Sequence, residues 1–297
     1  MANIYDQFII VDEKSIAENC GDFSAWAEHI NSKFSDLTDF DSLELKMVDE
    51  LQCLQIKDAA ASHSTNGLGP LAQIVSWKWE GGAQKIEKSI LLDRGDSTDL
   101  ECLKYSVVIR ILKKRQVIEN PCPPLSSPDD DLTVHIGDRQ VTVSAHWLMV
   151  VSPVIERMLS VEMKEKRTLN LDGHGITMEQ FMQFLETVND HFQHGRSLPN
   201  PTNVLDLLAL ADHFQIDWLK ERCEAHLINC VEIPLFERFL LIEPYRLNDL
   251  KNFFLRDLNV VTLGEFVAAC YEQKLLSAES ITQEFWFELN IRLCHRE

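Results

Sequence analysis

Positive charge is scarce in this chain. Its 28 Lys and Arg stand against 47 Asp and Glu, for a formal net charge of -19. Such a field repels phosphate backbones and anionic lipid, which argues against general binding to nucleic acid or a membrane surface. The compact basic run Lys113-Lys114-Arg115 reads as the end of a solvated strand. Paired cysteines are missing as well: the 8 cysteines, at positions 20, 53, 102, 122, 223, 230, 270 and 294, form no CxxC. No apolar run is long enough to cross a bilayer, and the opening MANIYDQF has no basic segment leading into a long apolar core. The expectation is a chain without a secretory leader, with reduced thiols, in the cytosol or nucleus. Catalytic signatures are absent too. There is no G-x-S-x-G, no H-E-x-x-H and no GxxxxGK[ST] phosphate loop. Ser152 lies near His146, but a serine directly before Pro153 serves as a helix N-cap. The expectation is a non-enzyme with no cofactor and no metal.

What is present is an ordinary globular composition, 45% hydrophobic and 25% charged over 297 residues, enough for about two domains. Phe23, Trp26, Ala27 and Ile30 fall at helical spacing near the start, with Asp22 or Ser24 as cap. From Leu43 the pattern changes. LELKMVDELQCLQIKD, LAQIVSWKWE, KIEKSILLD and LKYSVVIRILKK alternate in the manner of strands, the last placing Tyr105, Val107, Ile109 and Ile111 on one face. Asn66-Gly67 to Pro70, Gly81-Gly82 and Arg94-Gly95-Asp96 supply turns. An antiparallel sandwich or small barrel is expected over residues 1–120. Pro121-Cys122-Pro123-Pro124 and Ser126-Ser127-Pro128 cannot continue strand or helix, and Asp129 to Asp131 add charge, so residues 121–130 read as a linker.

Residues 131–230 switch period. Leu132, Val134 and Ile136 alternate, as do Val141 and Val143, around a Gly137-Asp138-Arg139 connection. Helical spacing then takes over, interrupted by a short strand at Thr168 to Leu171. The fold class is therefore α+β. Residues 231–297 hold four amphipathic segments, Leu235–Ile242, Leu247–Leu258, Leu263–Tyr271 and Ile281–Leu293, with Pro234 and Pro244 as breaks and Thr262 and Ser277 as caps.

The order of residues over 131–230 resembles the BTB/POZ domain. It is carried by Asp131 before the first strand, Leu148, Ser152-Pro153, then Leu207, Leu208, Leu210, Ala211 and Asp212, then Cys223 and Glu224. Two positions depart from the family pattern: Ser144 stands where a histidine often begins the first helix, and Leu185 to Asn189 replace a Phe-Ile-Tyr turn. The helical tail resembles the first part of a BACK region. Domain order and strand-rich composition liken residues 1–120 to a divergent MATH domain, although no family motif matches there residue by residue.

The resemblance to speckle-type MATH-BTB adaptors implies a substrate-recruiting adaptor of a cullin-RING ubiquitin ligase with a cullin-3 type scaffold. The alternative is a BTB interaction scaffold or transcription-linked assembly factor that binds no cullin. In the adaptors a hydrophobic-x-Glu loop fills a slot on the cullin, and Met163-Lys164-Glu165 stands at the matching spacing from Ser152-Pro153. The competing reading is a solvated loop whose Met163 folds back on its own domain. BTB domains usually form homodimers; here the amphipathic helix that often precedes the first strand is replaced by the proline-rich stretch, so dimerisation is expected to be weaker or to use other surfaces.

Three further groups carry side chains with a chemistry of their own. Cys223, His226 and Cys230 share a helix but leave zinc one ligand short, so a buried cysteine is preferred to a metal site. His191, His194 and Arg196 read as a connector because Gly195, Pro199 and Pro201 surround them. Trp77 and Trp79 share a strand face and either line a peptide groove or fill the core, the core being favoured. The substrate-binding residues are unknown at this level.

Overall fold

The computed structural model describes residues 3–16, 43–48, 53–58, 69–70, 72–93, 96–101, 105–116, 118–125, 131–161, 168–173, 175–193, 195, 197–275 and 281–294. The expected helix around Phe23 to Ile30, the turn at Asn66-Gly67 and the cap at Ser277 lie outside them. The molecule is α+β, and it divides into two compact units that do not follow the chain linearly. One unit joins Met1–Ile9 to Arg115–Leu227, and the other joins Ile10–Lys114 to Ile228–Glu297.

Among the described residues the second unit begins with most of β1 (Phe8–Ile16) and with β2 (Leu43–Val48), β3 (Cys53–Asp58), β4 (Ala72–Glu80), β5 (Ala83–Leu92), β6 (Ser97–Glu101) and β7 (Ser106–Lys114). They form two sheets, one of order β1-β7-β4-β5 and one of order β2-β3-β6. β4 is antiparallel to both β5 and β7, with a bulge at Ser76/Trp77 on the β5 side. Gly81 and Gly82 close the β4–β5 hairpin with φ of +61° and +77°, the positive values that a two-residue turn matching the strand twist requires. β4, β5 and β7 lie where the alternation places strands, and the expected run 43–58 holds two strands, β2 and β3, paired antiparallel, whereas β1 and β6 carried no turn-bounded signal. In β7 the burial is continuous: Val107, Val108, Ile109, Ile111 and Leu112 are all buried, so both faces are covered rather than one.

The first unit contains β8 (Asp131–Ile136), β9 (Arg139–Ser144), α1 (Ala145–Val151), α2 (Pro153–Val161), β10 (Thr168–Asn170), α3 (Met178–Phe192), α4 (Val204–His213) and most of α5 (Asp217–Asn229). β8 pairs antiparallel with β9 and parallel with β10, giving the order β10-β8-β9. Gly137 turns the hairpin at φ +59° and donates its N–H to Asp172 Oδ1 at 2.6 Å. Leu132, Val134 and Val143 are buried together with Phe181, Phe184, Leu207, Leu208 and Phe214 of the helices. Phe184 stacks on Phe214 at 5.6 Å between ring centres, an offset geometry that aromatic pairs favour. Leu185 to Asn189 continue α3, and Leu185, Val188 and Asn189 are buried along it.

The helical tail closes the second unit. It comprises α6 (Leu235–Tyr245), α7 (Asn248–Asn252), a π-helical turn at Phe253–Asp257, α8 (Val260–Glu272) and α9 (Gln283–Cys294). Phe239 lies at its centre, with Phe254, Phe285 and Phe266 at 5.0, 5.3 and 5.5 Å. Pro234 precedes α6 as expected, but Pro244 falls within its last turn, and Arg246 ends it in the left-handed region at φ 55°. Asn259, not Thr262, caps α8, because its side chain accepts the Thr262 N–H. Leu250 and Phe254 are fully buried, while Leu240 and Leu241 are half-buried. Among the described residues no helix is long and apolar enough to cross a membrane.

Candidate functional site

Two regions are candidates for a functional site, and each is held by its own hydrogen bonds. In the first unit Ser152 joins α1 to α2. Its N–H donates to Leu148 O at 3.0 Å, ending α1, and its Oγ accepts the Ile155 N–H at 3.1 Å, starting α2. The same hydroxyl donates to Phe214 O at 2.8 Å and is fully buried, so it acts as cap and cross-brace and not as a nucleophile. Ser144, where the family often has histidine, caps α1 by accepting the Trp147 N–H at 3.2 Å. A serine oxygen does this as well as any residue type, which is why the departure is tolerated. The proline-rich stretch meets the same unit. Cys122 is fully buried, its O accepts the Ser144 N–H at 3.0 Å, and its thiol, pushed up to about 12 by burial, donates to Leu185 O at 3.3 Å.

Helix α2 ends at Val161. Met163, Lys164 and Glu165 lie outside the described residues. The helices that lead to that segment keep apolar side chains in solvent, with Val150 61% and Met158 40% exposed.

The second region is a cleft of about 470 Å³ within the second unit, a volume in the usual range of ligand sites. Trp77 and Trp79 of β4 form one side, and Val231, Phe253, Asp257 and Leu258 of the tail another. The indoles meet edge to face, 5.5 Å apart at 80°. Trp77 packs with Val75, Val108 and Val231 as core, and Trp79 leans on that cluster half-buried. Trp77 is thus core, the reading favoured from the sequence, and both rings line the cleft.

Three contacts fix the strands against the tail. Arg110, fully buried on β7, donates from Nε to Glu13 Oε2 at 2.6 Å, from Nη1 to Gln73 Oε1 at 3.2 Å, and through both terminal nitrogens to Glu232, with Nη2 to Oε2 at 2.9 Å. The two carboxylates and the amide satisfy a guanidinium that would otherwise be costly to bury. Arg238 of α6 donates to Ile233 O at 3.1 Å, to Ile228 O at 3.2 Å and to Gln84 Oε1 on β5. Burial brings its pKa down to about 10, so it remains charged at neutral pH. Gly82 is the third contact: a Cβ there would stand 2.5 Å from Glu265 O on α8. The sequence offered no sign of this arrangement, since Arg110 and Glu232 are far apart along the chain.

The remaining groups separate. Cys223, His226 and Cys230 are buried, the Cys223 thiol is driven up by burial alone, and among the described residues no three His, Cys, Asp or Glu side chains could hold a metal ion together. His191 belongs to α3 rather than a connector, and it stacks on Trp218 at 3.9 Å with Arg222 over the same indole at 5.0 Å. His194 and Arg196 lie outside the described residues.

The first unit's order of three strands and capped helices invites comparison with known families. Residues 127–230 match the family model of the BTB/POZ domain. This chain carries a BTB/POZ domain. It is similar to BTB and MATH domain-containing protein 38 of Caenorhabditis elegans, 23% identical over 171 residues, which are 58% of this chain and 43% of that protein. It is also similar to Ethylene-overproduction protein 1 of Arabidopsis thaliana, 33% identical over 129 residues, 42% of this chain and 13% of that protein. The chain thus spans less than half the length of either relative. Ser144, Ser152 and the Leu207–Asp212 helix lie inside the matched BTB residues, whereas the Trp77–Trp79 cleft draws on residues from both sides of them and, from within, on Ile228 and Asn229 at their end.

Proposed function

We propose that this chain is a substrate-recruiting adaptor of a cullin-3 type ubiquitin ligase, docking the cullin through its BTB domain and a substrate through its strand-rich part. The BTB match at residues 127–230 carries the reading. Likeness to a relative named for BTB and MATH domains supports the pairing of a docking domain with a strand-rich one. In this proposal Met163, directly after α2, enters an apolar slot on the cullin and Glu165 stiffens the loop; exposed Met158 on the same helix extends the contact. Along the chain the proposal assigns residues 1–120 to substrate, 121–130 to a linker, 131–230 to the BTB domain and 231–297 to the helical extension, of which the first and last contribute to one compact unit. Transfer chemistry belongs to the recruited conjugating enzyme, and the adaptor contributes proximity.

A pull-down with the cullin amino-terminal region tests it. The wild-type chain is expected to retain the cullin, and Met163→Ala/Glu165→Ala to lower retention at least tenfold without changing the melting midpoint. No retention by the wild type would favour a scaffold without cullin and overturn the adaptor reading.

A further inference from the structure

The cleft carries an assignment of its own, which deepens the adaptor reading because Trp77 and Trp79 lie in the part given to substrate, with the helical tail as the other wall. Trp77 is 7% exposed, and its Nε1 is buried with no hydrogen-bond partner among the described residues. Buried indole N–H groups nearly always find an acceptor, and a donor left alone in a cleft wall marks where a ligand acceptor belongs. Asp257 is exposed and is the sole charged side chain among the described lining residues. Trp77, Trp79 and Phe253 line the same cleft, and aromatic faces attract a cation. The two indole planes at 80° form a corner in which one ring's face meets the other's edge.

A single ligand chemistry answers all three features. We propose that this cleft receives a linear peptide segment bearing a lysine or arginine: a backbone carbonyl accepts from Trp77 Nε1, and the cationic side chain lies along the aromatic wall with its head at Asp257. The volume of about 470 Å³ suits a few residues of extended chain and not a folded surface. The net charge of -19 draws such a segment in from a distance, while Asp257 selects it at short range.

Fluorescence anisotropy on the full chain reads this out, with fluorescein-labelled degenerate nonapeptide pools whose central residue is fixed as Arg, Lys, norleucine or Glu. The Arg and Lys pools are expected to bind at least tenfold tighter than the Glu pool. Asp257→Asn changes the net charge by one, so it leaves long-range attraction almost intact; it is expected to bring the Arg and norleucine pools to within about twofold of each other. Trp77→Phe keeps a ring but removes the N–H, and is expected to weaken the Arg pool three- to tenfold. Cullin retention by both variants should equal that of the wild type, so loss of the cleft and loss of the adaptor role are told apart. Equal binding of the Arg and Glu pools overturns the proposal, as does an Arg preference that survives Asp257→Asn, because overall charge would then explain it. Unchanged affinity in folded Trp77→Phe overturns the carbonyl contact. Should Trp77→Phe fail to fold, the exposed Asp257→Asn variant still decides the matter.

Discussion

Gly81 and Gly82 share one turn and one sign of φ, yet they answer to different constraints. At Gly81 nothing lies within 4 Å of an added Cβ, so Gly81→Ala meets only the left-handed backbone cost, about 1–2 kcal/mol. At Gly82 the same Cβ would meet Glu265 O at 2.5 Å and Phe266 Cα at 2.9 Å, main-chain atoms of a helix that cannot turn aside. Overpacking then adds to strain, and Gly82→Ala is expected to lose roughly 2–5 kcal/mol. Urea unfolding of the two variants separates the effects; equal losses would mean that α8 does not press on the hairpin. The thiols show burial acting in another way. Burial pushes Cys122 up to about 12 and Cys270 up to about 11, whereas Cys294 is exposed. Alkylation proceeds through the thiolate. Iodoacetamide at pH 8 is therefore expected to label Cys294 in native protein and to spare Cys122 and Cys270 until denaturant is added, as peptide mass spectrometry would show.

Between elements, Ser152 carries more than a cap. Ser152→Ala leaves both the Ile155 N–H and the Phe214 carbonyl without their partner inside the core, a loss of about 2–3 kcal/mol. Ser144→Ala removes one cap bond and is expected to lose about 1 kcal/mol. Thermal melts of the pair test the ratio, and a Ser152→Ala loss no greater than that of Ser144→Ala would show that the Phe214 bond contributes little. The Ser152 cap was legible in sequence because its chemistry is local, directly before Pro153, whereas the Thr177–Gln180 capping box and the Asn259 cap went unread. The Gly-Gly hairpin and the alternation of Leu132, Val134 and Ile136 were legible for the same reason. β1 was not, because its buried Glu13 breaks an apolar pattern and its partner β7 lies about a hundred residues on. Arg110 reads as the solvent-facing member of an alternating run, and burial was invisible without Glu232. Asp257 was missed too, since a charge at a helix end is ordinary until the surrounding wall is known.

For the whole molecule, the consequence is that the strands and the helical tail belong to one unit while the BTB domain between them belongs to another. Arg110 and Glu232 offer the means to test this. Glu232→Ala leaves the fully buried guanidinium with Glu13 and Gln73 but without its bidentate partner. Removing one partner of a buried pair typically loses about 3–5 kcal/mol, since the remaining charge stays out of water. For a unit of this size that corresponds to a midpoint lower by roughly 6–20 °C. If strands and tail unfold together, the whole of that shift falls on one calorimetric transition, and hydrogen exchange accelerates in Ala72–Glu80 and Ser106–Lys114 as well as in Leu235–Tyr245. The BTB amides, Asp131–Ile136 above all, keep their protection. A variant in which the tail amides exchange faster while β4 and β7 do not would make the strands an independent domain. The cleft at Trp77 would then lose the second wall on which its selectivity depends.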